Sequence, residues 1–103
     1  MMDAKEFATR IVNDDDFMLE IFREMPDEVF AKNADEDAMA RGMAIVANKR
    51  GWNLNEAELK ECYTDALKDL GAFGIVKYIR RFLKVAKAAG KSKKDLKARG
   101  IKA

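Results

Sequence analysis

The stretch LNEAELKECYTDALKDLGAFGIVKYIRRFLKVAKA, residues 54–88, carries the clearest helix signals in this chain. Asn55 stands just before an apolar periodic segment and Glu58 follows three positions later, which is the spacing of a capping box. Leu54 and Leu59 occupy the two positions of a hydrophobic staple. These signals predict a helix that begins after Asn55 and ends at Gly71, since glycine commonly terminates helices.

A row of apolar side chains follows this predicted helix at intervals typical of a helix that buries one face. Its members are Leu59, Cys62, Tyr63, Ala66, Leu67 and Leu70. Another helix is predicted from about Phe73 to Ala89. The tail KSKKDLKARGIKA, residues 91–103, is predicted to be mobile or weakly helical.

Two helices are predicted at the start of the chain. The first runs from about Ala4 to Val12, with Asp3 placed to cap it. The second begins within NDDD, residues 13–16, whose carboxylates suit the positive end of a helix dipole. It ends at about Met25.

The middle of the chain contains a stretch whose secondary structure the sequence leaves open, followed by a predicted helix. Residues 26–35 (PDEVFAKNAD) fit a short helical turn or a loop, with Val29 and Phe30 expected in the core. A helix from about Glu36 to Lys49 follows, capped by Asp35.

No segment shows the alternating pattern of a strand. We therefore predict an all-α fold: a small bundle of four to five short helices, with a basic amphipathic C-terminal helix and a mobile tail. Gly42, inside a predicted helix, indicates a close helix crossing. The predicted core includes Phe7, Ile11, Phe17, Ile21, Phe22, Val46, Trp52, Leu59, Tyr63 and Leu67.

The composition indicates a single small globular chain. Its 103 residues suffice for one modest core, and its one cysteine, Cys62, excludes an intramolecular disulfide. The start MMDAKEF has acids where a secretory signal would need bases, and no apolar run follows them. We expect a cytoplasmic protein, and export of a C-terminal product is the alternative left open.

The usual catalytic and metal-binding residues are missing from the sequence. There is no histidine, which removes the commonest general base and metal ligand. The run Asp14–Asp16 lacks the spacing and glycine of a calcium loop, and Gly71 and Gly74 do not form a phosphate-binding pattern. We expect no enzymatic activity, no metal site and no cofactor.

Two residues have competing interpretations. Trp52, the single tryptophan, either closes the core at a helix–turn corner or serves as a recognition handle, since aromatic residues anchor interfaces. Cys62 is interpreted as a small core residue in preference to a reactive thiol.

Charge is distributed very unevenly along the chain. Residues 1–74 contain nine bases and seventeen acids, whereas residues 75–103 contain eleven bases and one acid. This asymmetry predicts an acidic helical domain over residues 1–72, followed by a basic helix and tail over residues 73–103.

The predicted last helix separates basic from apolar residues. At about 100° per residue, six bases fall within an arc of roughly 120°: Lys77, Arg80, Arg81, Lys84, Lys87 and Lys91. The opposite arc holds Ile75, Tyr78, Ile79, Phe82, Ala86 and Ala89, with Leu83 and Val85 at its edges. We expect the apolar arc to dock on the other helices and the bases, together with Lys93 and Lys94, to stay accessible to anions.

Three interpretations of the basic face remain open from the residues alone. It is a solvated surface, a binding surface for nucleic acid or anionic lipid, or part of a separable cationic amphipathic peptide.

Two segments resemble the Nif-eleven-like leader-peptide family, first noted beside nitrogen-fixation genes. They are FATRIVNDDDFMLEIF, residues 7–22, and AIVANKRGWNLNEAELKE, residues 44–61. The resemblance implies a leader of a ribosomally made peptide, recognised by a modifying enzyme and a peptidase-bearing exporter, or a stand-alone family member. Gly71–Ala72 is the candidate cleavage point. The candidate recognition residues are Phe7, Trp52, Leu54, Glu58 and Leu59. The alternative function is nucleic-acid or anionic-surface binding through the basic helix.

Overall fold

The computed structural model describes residues 2–31 and 35–91 of the chain. These residues form four α-helices and one short 3-10 helix, and the described ranges contain no strand. The elements are α1 (Ala4–Asn13), α2 (Asp15–Glu24), the 3-10 helix (Asp27–Phe30), α3 (Glu36–Lys49) and α4 (Glu56–Ala88). The all-α prediction is confirmed, while the predicted tail lies almost entirely outside the described residues.

Each α-helix begins at a side-chain cap. The side-chain oxygen of the cap residue accepts a hydrogen bond from the backbone N–H three residues later, at 2.8 Å for Asp3, 3.1 Å for Asp14, 2.9 Å for Asp35 and 3.0 Å for Asn55. Such a bond satisfies one of the amides that a helix leaves unpaired at its start. The predicted caps are confirmed, and Asp14 is the cap supplied by the NDDD run.

One apolar core joins all five elements. Its largest fully buried side chains are Phe7, Ile11, Val12, Met18, Ile21, Phe22, Met25, Met39, Met43, Val46 and Leu59. Phe17 and Tyr63 are also buried, as predicted. Trp52 and Leu67 are only half-buried, because they pack against the edge of the core rather than inside it.

Helix α3 crosses the segment after α2 closely at Gly42. A Cβ atom at Gly42 would lie 2.8 Å from Sδ of Met25 and 3.1 Å from Cγ2 of Val29. The predicted close crossing is confirmed. The predicted burial of Val29 and Phe30 is confirmed as well, and the 3-10 helix carries them into the core.

Arg50, at the C-terminal end of α3, forms ion pairs with α2. Its guanidinium pairs with Glu24 and lies 2.7 Å from a carboxylate oxygen of Glu20. The hydrogen bond from Arg50 lowers the pKa of Glu24 below its usual range. The guanidinium also lies 5.5 Å from the ring centre of Trp52, within the range of a cation–π contact.

Helix α4 is broken at Gly71, where φ is 75° and ψ is 175°. In an unbroken helix, Tyr63 and Tyr78 would be separated by about 22 Å along the axis. Instead their ring centres lie 6.4 Å apart and their hydroxyl oxygens 2.7 Å apart. The two halves of α4 therefore form a V around this tyrosine pair, and the predicted change of helix between Leu70 and Phe73 is confirmed.

Candidate functional site

The second half of α4, residues 72–88, packs on the rest of the protein through one side. The side chains buried on that side are Tyr78, Val85 and Ala86. The ring of Phe82 lies 5.1 Å from that of Phe22 in α2 and 6.0 Å from that of Phe30. These contacts fix the rotation of the helix about its axis and so determine which residues face away from the core.

Two residues predicted to dock lie outside the core. Ile79 is 51% exposed and Leu83 is 61% exposed, so the prediction that they pack on the other helices is wrong. The packed side is centred near Tyr78 and Phe82, and Leu83 lies about 100° around the helix from Phe82. The neighbouring helices cover too narrow an arc to reach it.

Four large apolar side chains therefore form an exposed row on the second half of α4, here called the exposed apolar stripe. The stripe consists of Phe73 (86% exposed), Val76 (50%), Ile79 and Leu83. The roles of Phe73 and Val76 were not predicted. Their signal was the spacing of three and four residues from Phe73 to Leu83. This spacing places Val76, Ile79 and Leu83 between the docked side and the bases, whereas Phe73 lies at the start of the helix in line with the bases.

Two of the six predicted accessible bases contact the protein itself. Arg81 donates hydrogen bonds to the carbonyl oxygen of Val12, at 3.1 Å from Nη1, and lies 3.5 Å from a carboxylate oxygen of Asp15. Lys91 lies 2.5 Å from Asp27, with its side chain 11% exposed. The expectation of free access is wrong for both, because each reaches a partner on a different helix.

The contact of Arg81 caps the C-terminal end of α1. Val12 belongs to the last turn of α1, where carbonyl groups have no partner within the helix and attract a positive charge. We expect Arg81→Gln to lower the free energy of unfolding by about 1–3 kcal/mol, because the partly buried Val12 carbonyl loses a charged donor. Lys84→Gln, one turn away on the exposed side, should change it by less than about 0.5 kcal/mol. Urea denaturation of both variants checks this difference.

The other four bases form a second exposed row, here called the basic stripe: Lys77, Arg80, Lys84 and Lys87. Within the described residues, no carboxylate pairs with any of them. Their spacing of three and four residues places them side by side along about 15 Å of helix. Lys93 and Lys94, the remaining predicted candidates, lie outside the described residues.

A groove opens where the V of α4 meets the start of α3. It has a volume of about 340 Å³ and is lined by apolar groups from both halves of α4, including Leu67, Ile75 and Ile79. Asp35 and Glu36 form its rim on the side of α3. Ile79 and Leu83 of the exposed apolar stripe also line this groove, together with the two acids.

The candidate leader-recognition residues are distributed between core and surface. Phe7 and Leu59 are fully buried, and Trp52 packs on Phe7 with ring centres 5.6 Å apart. Trp52 and Leu54 border a shallow cleft of about 330 Å³. Glu58 is exposed, and its backbone N–H is used by the cap of α4. Of these five residues, only Trp52, Leu54 and Glu58 can be contacted without opening the core.

Cys62 lies half-buried against the core. Burial raises the pKa of its thiol, and the carboxylates of Glu58 and Glu61 add to this effect. Such a thiol carries little thiolate near neutral pH, which agrees with a packing role.

Neither a metal-binding cluster nor a membrane-crossing helix occurs in the described part of the chain. Its cysteine, aspartate and glutamate side chains form no group that could hold a metal ion. None of its helices combines the length and apolar character that crossing a bilayer requires.

Comparison with known proteins leaves the chain without an assigned relative. It matches no protein-family model, no curated protein and no solved structure.

Proposed function

We propose that this chain is a non-enzymatic binding protein that holds an anionic partner through the basic stripe of α4. The observation that supports the proposal is that four neighbouring bases are exposed and lack a carboxylate partner among the described residues. Like charges three and four residues apart on a helix repel one another. A partner that supplies negative charge relieves this repulsion.

Several other cations of the chain are paired with carboxylates, and the exposed bases that are not, such as Lys5 and Arg23, are spread over different helices and do not form a row. Arg50 pairs with Glu20 and Glu24, and Lys60 lies 2.7 Å from Asp37. A surface that serves solubility alone mixes both signs of charge. The basic stripe does not mix them, although the chain contains 18 acidic residues in all.

Neutralising the basic stripe is expected to weaken binding to anionic partners at least about tenfold and to flatten its salt dependence, because fewer counterions are released. The variant carries Lys77→Gln, Arg80→Gln, Lys84→Gln and Lys87→Gln. Binding to anionic vesicles and to duplex DNA is measured between low and physiological salt.

A matched control carries Lys5→Gln, Arg23→Gln, Arg41→Gln and Lys49→Gln, four exposed positions away from the stripe. Both variants remove four positive charges and thus take the net charge from +2 to −2. Equal loss in the two variants would show an effect of net charge only. Unchanged binding by the basic-stripe variant would refute the proposal.

A leader role is a second proposal, drawn from the family resemblance. Its structural support is that Gly71 and Ala72 are both exposed at the break in α4, where a peptidase would find non-helical backbone. In a leader, cleavage after one of these residues would release the basic segment.

Mass spectrometry of the protein recovered from its native cells and medium tests this second proposal. A fragment that begins at Ala72 or Phe73 is the expected result for a cleaved leader. Recovery of the uncut chain alone, with both halves of α4 retained, would favour a stand-alone binding protein.

A further inference from the structure

We infer that the anionic partner is the surface of a lipid bilayer, with the second half of α4 lying in the headgroup region. The inference rests on the proposed function and specifies its partner. It is carried by the exposed apolar stripe, which runs directly beside the basic stripe on the same helix.

The apolar stripe is what distinguishes a bilayer from a nucleic acid. The phosphate groups of either partner can pair with the lysine and arginine side chains of the basic stripe. Three of the four members of the stripe, Val76, Ile79 and Leu83, are aliphatic and have no aromatic face on which nucleobases could stack. A duplex would leave them in water. A bilayer interface buries such side chains at the boundary between headgroups and acyl chains while its phosphates meet the neighbouring lysines.

On its exposed side the helix carries basic side chains next to apolar ones, as helices that lie in a membrane interface do. Lysine and arginine side chains can extend to the headgroups while their stems lie along apolar surface. Residues 72–88 form a helix about 25 Å long. Its opposite side is anchored in the protein core by Tyr78, Val85 and Ala86, so the helix presents this face to lipid without refolding.

Phe73 is the expected point of deepest insertion. It is 86% exposed and lies two residues after the break at Gly71, at the start of the second half of α4. The acids Asp35 and Glu36 line the same groove as Ile79 and Leu83. Since they repel an anionic surface, the helix should tilt so that its basic edge lies nearest the headgroups.

The test uses the full chain and sedimentation with vesicles of phosphatidylcholine, with and without phosphatidylserine. The variants Phe73→Ser and Leu83→Ser, alone and combined, shorten the exposed apolar stripe. Ile45→Ser is the matched control, since Ile45 is an exposed aliphatic residue on α3, 38% exposed. Thermal unfolding by circular dichroism confirms that each variant is folded.

The double variant is expected to bind anionic vesicles at least about tenfold more weakly than wild type, because two apolar side chains no longer enter the interface. Ile45→Ser should bind as wild type does, and vesicles of phosphatidylcholine alone should bind all proteins poorly. Anionic vesicles that bind the double variant and wild type equally would overturn the inference.

A parallel measurement of binding to duplex DNA distinguishes failure of this inference from failure of the proposed function. Binding to duplex but not to anionic vesicles, lost on neutralising the basic stripe, would overturn the bilayer assignment and leave the proposed function standing. Binding to neither by the wild-type chain at low salt would overturn both.

Discussion

Phe22→Ala is expected to lower the free energy of unfolding by about 3–5 kcal/mol, the usual cost of removing a buried aromatic ring. Phe22 is fully buried. Its ring lies 5.0 Å from that of Phe30 and 5.1 Å from that of Phe82. The substitution therefore leaves a cavity where α2, the 3-10 helix and the second half of α4 meet. Urea denaturation followed by circular dichroism measures the loss.

The control for this prediction is Phe73→Ala. It removes the same ring from a position that is 86% exposed, so it should change stability by less than about 0.5 kcal/mol. Phe82→Ala should destabilise clearly, because Phe82 joins the second half of α4 to the same aromatic group. Equal stability of wild type and Phe82→Ala would contradict the docking of that half.

Alkaline pH is expected to destabilise the fold through the pair Tyr63 and Tyr78. Burial raises the pKa of Tyr63 to about 12 and raises the pKa of Tyr78 well above its usual value. In the unfolded chain both phenols ionise near pH 10. In the folded protein they stay neutral at that pH, because their pKa values are higher. Their contribution to stability is complete below pH 10 and is lost as the pH rises through the folded-state pKa. For Tyr63 alone the loss between pH 10 and 12 is about 3 kcal/mol.

The double variant Tyr63→Phe/Tyr78→Phe isolates this effect from the titration of the lysines. Either single substitution leaves one buried hydroxyl without its partner and should cost about 1–3 kcal/mol at pH 7. The double variant removes both hydroxyls and should cost less than the sum of the two single changes. Denaturation at a series of pH values should then show a much smaller alkaline loss than in wild type. If the double variant lost as much stability at alkaline pH as wild type, this tyrosine pair would not be the origin of the loss.

The sequence was sufficient to predict the features that depend on nearby residues. Asp3, Asp35 and Asn55 each cap a helix through an amide three positions later, so their signals lie within one turn of chain. The break at Gly71 likewise has a local cause, since its positive φ suits glycine. These signals fixed the order of the helices and most of the core.

Features that depend on distant residues could not be predicted in this way. The hydrogen bond from Arg81 to Val12 joins positions 69 apart, and the Tyr63–Tyr78 contact depends on the angle at Gly71. The same docking decides that Ile79 and Leu83 face solvent. Helical spacing placed them among the apolar residues but could not show how wide an arc the neighbouring helices cover.

We propose that the second half of α4 stays docked on the protein while its outer face binds an anionic surface. NMR spectra of isotope-labelled protein, recorded with increasing amounts of small phosphatidylserine-containing bicelles, test it directly. We expect amide signals of residues 73–87 on the outer face to change, while those of Phe7, Leu59 and Tyr63 keep their folded positions. Changes centred on Trp52 and Leu54, or loss of the folded signals of Tyr63 and Tyr78, would contradict this account.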